Sequence, residues 1–254
     1  MNDKLKKFIN ENIDLINENT KESWEEIYKQ LRYSLHSWEL IGKFTKMILD
    51  AGINDPASIM GYIPDNYLYE STIQDYKLPD NVISIGAFAF AYCDSLIEII
   101  IPNGVIDLDV GAFHACRSLT NIIIPDSVTE ITLAAFRYCS SLTNIIIPNS
   151  VTSIGEEVFQ NCGKLTSVVI PDSITSISKS TFSYCSSLTS VVIPNSVTSI
   201  DEYAFSYCGK LEEITYKGTR KQAIQLGIGN KSRKKWRANS SIKKIICTDG
   251  IIEL

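Results

Sequence analysis

Six cysteines recur at intervals of 23 residues, and their thiols are the side chains of this 254-residue chain best suited to metal or redox chemistry. The column consists of Cys93, Cys116, Cys139, Cys162, Cys185 and Cys208. It contains no C-x-x-C pair, and one thiol per repeat cannot supply the converging ligands of a zinc site. Regular stacking also does not arrange the geometry that a disulfide requires. We therefore predict buried thiols that pack as small hydrophobic side chains, without a metal or other cofactor.

Catalytic constellations are sparse in the rest of the sequence. The two histidines, His36 and His114, have no obvious partners, and His114 occupies a variable column that we expect to be exposed. The nucleophile-elbow, zinc-protease, phosphate-loop and dinucleotide-binding motifs do not occur. The sequence therefore predicts a protein that is not an enzyme.

A basic cluster near the C-terminus is a candidate for electrostatic recognition. Residues 217–254 carry a net charge of +8, whereas the whole chain carries −5. The cluster surrounds an aromatic ring and consists of Lys231, Arg233, Lys234, Lys235, Trp236 and Arg237. Three interpretations stay open, namely a solvated cap, contact with an acidic protein, or contact with nucleic acid. Nucleic acid is the least favoured of the three because the chain as a whole is acidic.

The cysteines belong to an internal repeat of 23 residues, and a proline, a phenylalanine and a leucine recur with the same period. Each unit contains an L-x-x-V-x-I segment, such as Leu165, Val168 and Ile170, whose alternation is typical of a strand. Pro171 ends that strand because it lacks an N–H group. A unit this small cannot bury its own apolar face, so neighbouring units must stack. We predict a parallel sheet of about eight strands between Ile73 and Cys247.

The repeats resemble BspA-like leucine-rich repeats, whose units read L-x-x-I-x-I-P-x-x-V-x-x-I-x-x-x-A-F-x-x-C. The resemblance covers residues 73–216, over half of the chain. It implies an α/β solenoid, in which a right-handed leucine-rich-repeat array with parallel strands uses its strand face as an interaction surface. It also implies kinship with exported surface proteins that bind host proteins, although this chain shows no export signal.

The outward-facing residues of the predicted strands are the third and fifth of each segment. The third column is neutral and polar over four units, at Asn121, Asn144, Ser167 and Ser190. The fifth column forms an apolar stripe, at Ile100, Ile123, Ile146, Val169 and Val192. Contiguous exposed apolar surface often marks an interface, here with a protein partner or a second copy of the chain. The alternative is that these β-branched residues only stabilise the sheet through cross-strand pairs.

The repeats divide the chain into three predicted parts: a helical N-terminal region (1–72), the repeats (73–216) and a C-terminal cap (217–254). In the first part, Ser23 and Glu26 fit a capping box that would open a helix. The region covers the first repeat or forms a separate binding domain, and both interpretations stay open. Each end of a solenoid needs such a cap because its last core layer would otherwise be exposed.

Helix start signals also mark the junctions of these parts. Asp55 followed by Pro56 predicts a short helix before the repeats. Thr219 and Gln222 fit a capping box that would open a helix after them. The segment from Ile242 fits the strand pattern again after an interval longer than the repeat period, which predicts a last strand in the cap.

Together these features predict a non-catalytic protein that binds a protein target through the strand face. The sequence contains no secretory signal and no transmembrane segment, so we expect a cytoplasmic protein with an intracellular target. The resemblance extends to chains of bacteria and bacterial viruses, which suggests an inhibitor or adaptor of a bacterial protein. The alternatives are a surface adhesin and a nucleic-acid-binding protein that uses the basic cluster.

Overall fold

The computed structural model describes residues 3–34, 37–60, 62–69, 71–228 and 235–254. Four residues discussed above lie outside the described residues: His36, Lys231, Arg233 and Lys234. The N-terminal region is helical, as predicted, and its helices are α1 (Asp3–Glu11), α2 (Ile13–Glu18), α3 (Lys21–Ser34), α4 (Trp38–Asp50) and α5 (Pro56–Met60).

A buried asparagine separates α1 from α2. The side-chain amide of Asn12 donates a hydrogen bond to the carbonyl oxygen of Phe8 at 2.9 Å, and α1 ends beside it. The capping box predicted at Ser23 and Glu26 is wrong, because the reciprocal bonds join Ser23 to an earlier residue. The Ser23 N–H donates to Thr20 Oγ1 at 3.1 Å, and the Thr20 N–H donates to Ser23 Oγ at 2.9 Å.

Asp55 caps α5 as predicted and also connects it to the repeats. Its Oδ1 accepts the N–H of Ala57 at 2.9 Å, which is an N-cap bond. The hydroxyl of Tyr67 donates to the same oxygen, and the hydroxyl of Tyr76 donates to Oδ2 at 2.6 Å. One carboxylate therefore joins the helical region to the first strand segment of the array.

Stacking begins earlier than residue 73. Ile63 forms a parallel bridge with Ile85, which in turn bridges to Leu108. The Asn66 N–H donates to the carbonyl oxygen of Ala87 at 2.9 Å, as one repeat does to the next. The segment before Ile73 thus supplies a partial repeat on which the helices pack.

The repeats form two rows of short parallel strands. The row that carries the strand face contains β1 (Glu98–Ile100), β3 (Asn121–Ile123), β6 (Ser167–Val169), β8 (Ser190–Ile193), β10 (Glu213–Tyr216) and β11 (Lys244–Cys247). The second row follows the prolines and contains β2 (Asp107–Leu108), β4 (Glu130–Ile131), β5 (Ser153–Ile154), β7 (Ser176–Ile177) and β9 (Ser199–Ile200).

The strand register follows the repeat period. Ile99 pairs with Ile122, and Val168 pairs with Val191, in each case the equivalent residue of the next repeat. Glu213 pairs with Lys244 across the longer interval that precedes the last strand. The expected eight strands are reduced to six, because residue 75 forms only an isolated bridge and residues 144–146 do not pair as a strand.

A column of stacked phenylalanines fills the core. Neighbouring rings lie 5.1–5.6 Å apart with interplanar angles of 4–11°. The column consists of Phe90, Phe113, Phe136, Phe159, Phe182 and Phe205, all fully buried. Tyr76 lies 5.8 Å from Phe90 at one end, and Trp236 packs edge-on against Phe205 at the other. Aromatic rings that do not belong to the phenylalanine column therefore close both ends of the stack.

The C-terminal cap begins with the predicted helix, α6 (Arg220–Leu226), and its capping box between Thr219 and Gln222 is present. It ends at Gly227, whose left-handed φ of 89° is typical of a helix C-cap. After β11 the chain reverses into β12 (Gly250–Glu253), which pairs antiparallel with it. This hairpin closes the parallel row.

Candidate protein-binding surface

The apolar stripe lies on the outside of the strand face, where the repeat pattern placed it. The side chains of Ile100, Ile123, Ile146 and Val169 are 61%, 52%, 79% and 57% exposed, whereas Val192 is partly buried. In each strand the residue just before the stripe residue, such as Ile122 or Val168, is buried. Strand alternation thus presents one aliphatic side chain per repeat to solvent.

The polar column runs beside the stripe. Asn121, Asn144 and Ser190 are exposed and Ser167 is half-buried. Asn121 donates a hydrogen bond to the Glu98 carboxylate at 3.1 Å, at the edge of the neutral area. The amide and hydroxyl groups of this column can both donate and accept hydrogen bonds, so they suit uncharged partner groups.

A threonine ladder borders the polar column, and the sequence reasoning missed it. Each exposed threonine donates its hydroxyl to the carbonyl oxygen one repeat earlier, at 3.1–3.5 Å. The ladder consists of Thr120, Thr143, Thr166 and Thr189. The recurrence of threonine in four consecutive repeats, next to the polar column, was the available signal. The strand face of four consecutive repeats therefore carries no charged side chain.

Charges border this neutral area at its C-terminal side, where they form pairs. Lys243 lies 3.5 Å from Glu212, and Lys244 lies 2.6 Å from Glu213. The hydrogen bond to Glu213 raises the pKa of Lys244. The charges at this border therefore neutralise each other along the same strand row.

Several lysines of the described part of the cap pair with acidic residues of the repeats. Lys217 pairs with Asp172 at 3.3 Å, and Lys235 pairs with Glu202 at 2.7 Å, in addition to the two pairs on the strand row. Residues 78–216 carry a net charge of −9, so the basic cap meets acidic repeats. Surface pairs of this kind contribute little stability, but they leave fewer free cations for a ligand.

Trp236 does not provide the exposed aromatic ring that recognition of nucleic acid or an acidic protein would use. Only 5% of its surface is exposed, and it lies in a short 3₁₀-helix, Lys235–Arg237. Packing against Phe205 accounts for this burial, because the ring covers the last core layer. Arg237 is half-buried and donates to the carbonyl oxygen of Ile242 at 2.8 Å. We therefore replace the predicted binding role of Trp236 and Arg237 with a structural role in the cap.

The cysteine column is buried, as predicted, but it also forms hydrogen bonds. Each thiol from Cys116 to Cys208 donates to the carbonyl oxygen of the phenylalanine 26 residues earlier, at 3.0–3.2 Å. All seven cysteines of the chain are free thiols. Burial raises the pKa of Cys208 to about 12, which disfavours the nucleophilic thiolate.

His114 is not the exposed surface residue that its variable column suggested. Its ring is half-buried, 5.3 Å from the ring of Tyr92 and 5.6 Å from that of Tyr138. Burial lowers the pKa of His114, and the charges of Arg137 and Arg117 lower it further. The histidine therefore packs as a neutral ring between tyrosines of adjacent repeats.

The repeat family follows from these columns and from a match of sequence profiles. Six copies of the BspA type leucine-rich repeat region match this chain, over residues 61–187 and 108–232. Together they span more than half of the chain. The protein belongs to the BspA-type leucine-rich-repeat family.

Two solved structures resemble this fold. A leucine-rich repeat protein of T. pallidum is 29% identical, with a TM-score of 0.56 over 70% of this chain and 88% of that one. The pneumococcal vaccine antigen PcpA is 20% identical, with a TM-score of 0.54 over 74% of this chain and 44% of that one. No curated protein sequence matches the chain.

Two further observations concern the described residues. They contain no cluster of three or more histidine, cysteine or carboxylate side chains that could hold a metal ion. No helix in the same ranges is long and apolar enough to cross a membrane. The strand face, with its exposed aliphatic stripe, is the surface on which the functional proposal rests.

Proposed function

We propose that this BspA-type protein is a non-catalytic binding protein whose strand face docks a protein partner. The observation that carries the proposal is the exposed aliphatic stripe, which runs beside neutral amides and hydroxyls over consecutive repeats. Contiguous apolar surface of this kind tends to be covered by a partner. The stacked core holds the stripe rigid, so docking orders few additional groups.

The partner surface should be apolar at its centre and uncharged around it. A charged group placed on the neutral area would lose its hydration without gaining an opposite charge. Ion pairs would contribute little to such a complex, so its affinity should change little with salt concentration. This property separates strand-face docking from nucleic-acid binding, which weakens steeply as salt rises.

We further infer an intracellular target, with the protein acting as an inhibitor or adaptor of bacterial or bacteriophage origin. All seven cysteines are free thiols, which is typical of proteins in a reducing compartment. An adhesin outside the cell is the competing function. Cell fractionation of the native source separates them, because an adhesin would be recovered at the cell surface and an intracellular protein with the cytosol.

The decisive experiment is affinity capture from lysate of the native source with the wild type and two triple variants. The first, the stripe variant, carries Ile123→Lys, Ile146→Lys and Val169→Lys and places three charges on the stripe. The matched control, Thr129→Lys with Thr152→Lys and Thr175→Lys, places three charges on exposed residues of the repeats outside the stripe. Unfolding curves first establish that both variants are folded.

We expect a protein that the wild type and the control variant retain equally, at low and moderate salt, and that the stripe variant loses. Equal capture by all three proteins would refute strand-face docking. The stripe would then serve only cross-strand packing. If the partner is a second copy of the chain, light scattering of the purified proteins should give a smaller mass for the stripe variant than for the wild type.

A further inference from the structure

One column of the repeats places bulky residues in a backbone conformation that bulky residues avoid. The residue before each column cysteine has a left-handed φ of 57–63°. The column consists of Tyr92, Ala115, Tyr138, Asn161, Tyr184 and Tyr207. Asparagine or glycine adopts this conformation at least cost, so four tyrosines are not what the turn itself favours. Outliers of this kind cluster at functional sites.

The first tyrosines of the column are covered by neighbouring side chains. The guanidinium of Arg117 lies 5.8 Å from the ring centre of Tyr92, and His114 packs between Tyr92 and Tyr138. Arg117 also pairs with Asp94 at 2.8 Å. A side chain that follows the cysteine of the next repeat can therefore cover a tyrosine ring, and here it does.

Tyr184 lacks this cover because glycine occupies the corresponding position, whereas the position that corresponds for Tyr207 lies outside the described residues. Gly209 stands in the same relation to Tyr184 as Arg117 does to Tyr92, directly after the cysteine of the next repeat. A Cβ atom at Gly209 would have no neighbour within 4 Å, and its φ is not left-handed. Neither space nor backbone conformation requires this glycine. Tyr184 and Tyr207 stack at 4.3 Å and are 45% and 43% exposed.

Two lysines belong to the turns of this column, each two residues after a column cysteine. Lys164 and Lys210 are exposed, and among the described residues neither forms an ion pair. By contrast, Arg117 and Arg137 on the same side of the repeats pair with Asp94 and Glu157. Unpaired cations beside exposed aromatic rings suit a ligand that carries carboxylates.

We propose that a second surface of this protein, the tyrosine edge (Tyr184, Tyr207, Lys164 and Lys210), binds an acidic, extended segment of a partner protein. Tyrosine among serine and glycine provides rigid contact area with adaptable hydrogen bonding, the composition that antibody binding sites use. Ser186, Ser187 and Gly209 follow the column cysteines in the same turns. The edge lies at the start of the strands and is separate from the aliphatic stripe.

The repeat spacing also sets the spacing of the carboxylates in that segment. The core rings of the repeats concerned lie 5.4 and 5.3 Å apart, so the backbones at Lys164 and Lys210, two repeats apart, are separated by about 11 Å. An extended chain in the polyproline II conformation advances about 3.1 Å per residue and presents every third residue on the same face. The two lysines therefore match carboxylates three residues apart in an extended segment.

The test selects ligands from a displayed library of random twelve-residue peptides on the full-length protein. The counter-target is Tyr184→Asn with Tyr207→Asn, and a second variant is Lys164→Ser with Lys210→Ser. Asparagine already occupies the tyrosine column at Asn161, and serine already occupies the lysine column at Ser187. The turns should therefore keep their conformation in both variants. Selected peptides are then measured by fluorescence anisotropy, and unfolding curves verify each variant.

We expect enriched peptides with carboxylates three residues apart that bind each edge variant about tenfold more weakly than the wild type. The stripe variant should bind these peptides as the wild type does. Failure to enrich peptides over the counter-target, or enrichment of non-acidic peptides, would overturn the proposal. Peptides that only the stripe variant loses would overturn it while supporting strand-face docking. Binding of heparin without any acidic peptide would also overturn it and indicate a polyanion site.

Discussion

The thiol of Cys162 donates a hydrogen bond to the carbonyl oxygen of Phe136, 26 residues earlier, at 3.2 Å. The same bond recurs at each step of the column, beside the stacked phenylalanine rings. Each repeat is therefore joined to the preceding one by a buried thiol as well as by apolar contact. Because these thiols are protonated donors inside the core, their ionisation opposes folding.

We first predict that stability falls at alkaline pH because of these thiols. Burial raises the pKa of Cys93 and Cys208 to about 12, and it raises the pKa values of Cys116, Cys162 and Cys185 well above the ordinary value. In the unfolded chain a thiol ionises at about pH 8.5. Above that pH the unfolded state releases protons that the folded state retains, so the free energy of unfolding decreases up to about pH 12.

The measurement is the urea midpoint between pH 7 and pH 10. We expect a constant value up to about pH 8 and a steep decrease above it. A variant with Cys93→Ala and Cys208→Ala removes two of the titrating groups and should show a shallower decrease. A midpoint that is independent of pH across this range would contradict the burial of the column.

Replacing a ring in the phenylalanine stack should destabilise the whole array. Phe159 is fully buried between Phe136 and Phe182, at ring distances of 5.6 and 5.4 Å. Phe159→Ala should lower the free energy of unfolding by about 3–5 kcal/mol, because the stacked neighbours cannot fill the cavity. Urea unfolding followed by circular dichroism measures this change. A loss below about 1 kcal/mol would mean that the column is not close-packed.

Replacing a threonine of the ladder should, by contrast, change the stability very little. Thr166 is exposed, and its hydroxyl donates to the carbonyl oxygen of Thr143 at 3.2 Å. The Thr166 N–H also donates to that oxygen at 3.2 Å, so Thr166→Ala leaves the carbonyl bonded. We expect a loss well under about 1 kcal/mol in the same unfolding assay. A loss as large as that of Phe159→Ala would show that the outward and inward positions are exchanged.

The strand positions could be predicted from the sequence because one period determines them. A constant repeat length aligns each column, so burial at Val168 and exposure at Val169 follow from strand alternation alone. The longer interval before the last strand was likewise readable, since Ile242 resumes the pattern and the strand it opens pairs in register. The protein-binding role of these columns stays a prediction.

The partners of individual side chains could not be predicted in this way. The burial of Trp236 depends on where an irregular segment places it against Phe205, and the segment follows no repeat. The left-handed turn before each cysteine was also hidden, since tyrosine rarely adopts that conformation. Both features depend on the three-dimensional structure and not on the repeat period, so aligning the repeats does not reveal them.

The last prediction concerns the carboxylate that joins the helices to the array. Asp55 accepts hydrogen bonds from Ala57, Tyr67 and Tyr76, and Tyr67 is fully buried. Asp55→Ala would leave the Tyr67 hydroxyl without this acceptor, which costs about 1–3 kcal/mol for a buried group, in addition to the lost helix cap. We expect a loss of at least about 2 kcal/mol and faster proteolysis between the helices and the first repeat.

Asp50→Ala is the matched control for this change. Asp50 is an exposed carboxylate of the same region whose partner is Lys46 at 2.7 Å, and such surface pairs contribute between about 0 and 1 kcal/mol. Limited proteolysis with both variants separates the two interpretations of the helical region. If Asp55→Ala unfolds the repeats together with the helices, the region is a cap that the array requires. If the repeats keep their unfolding midpoint while the helices are cleaved, the region is an independent unit and the proposed coupling through Asp55 is wrong.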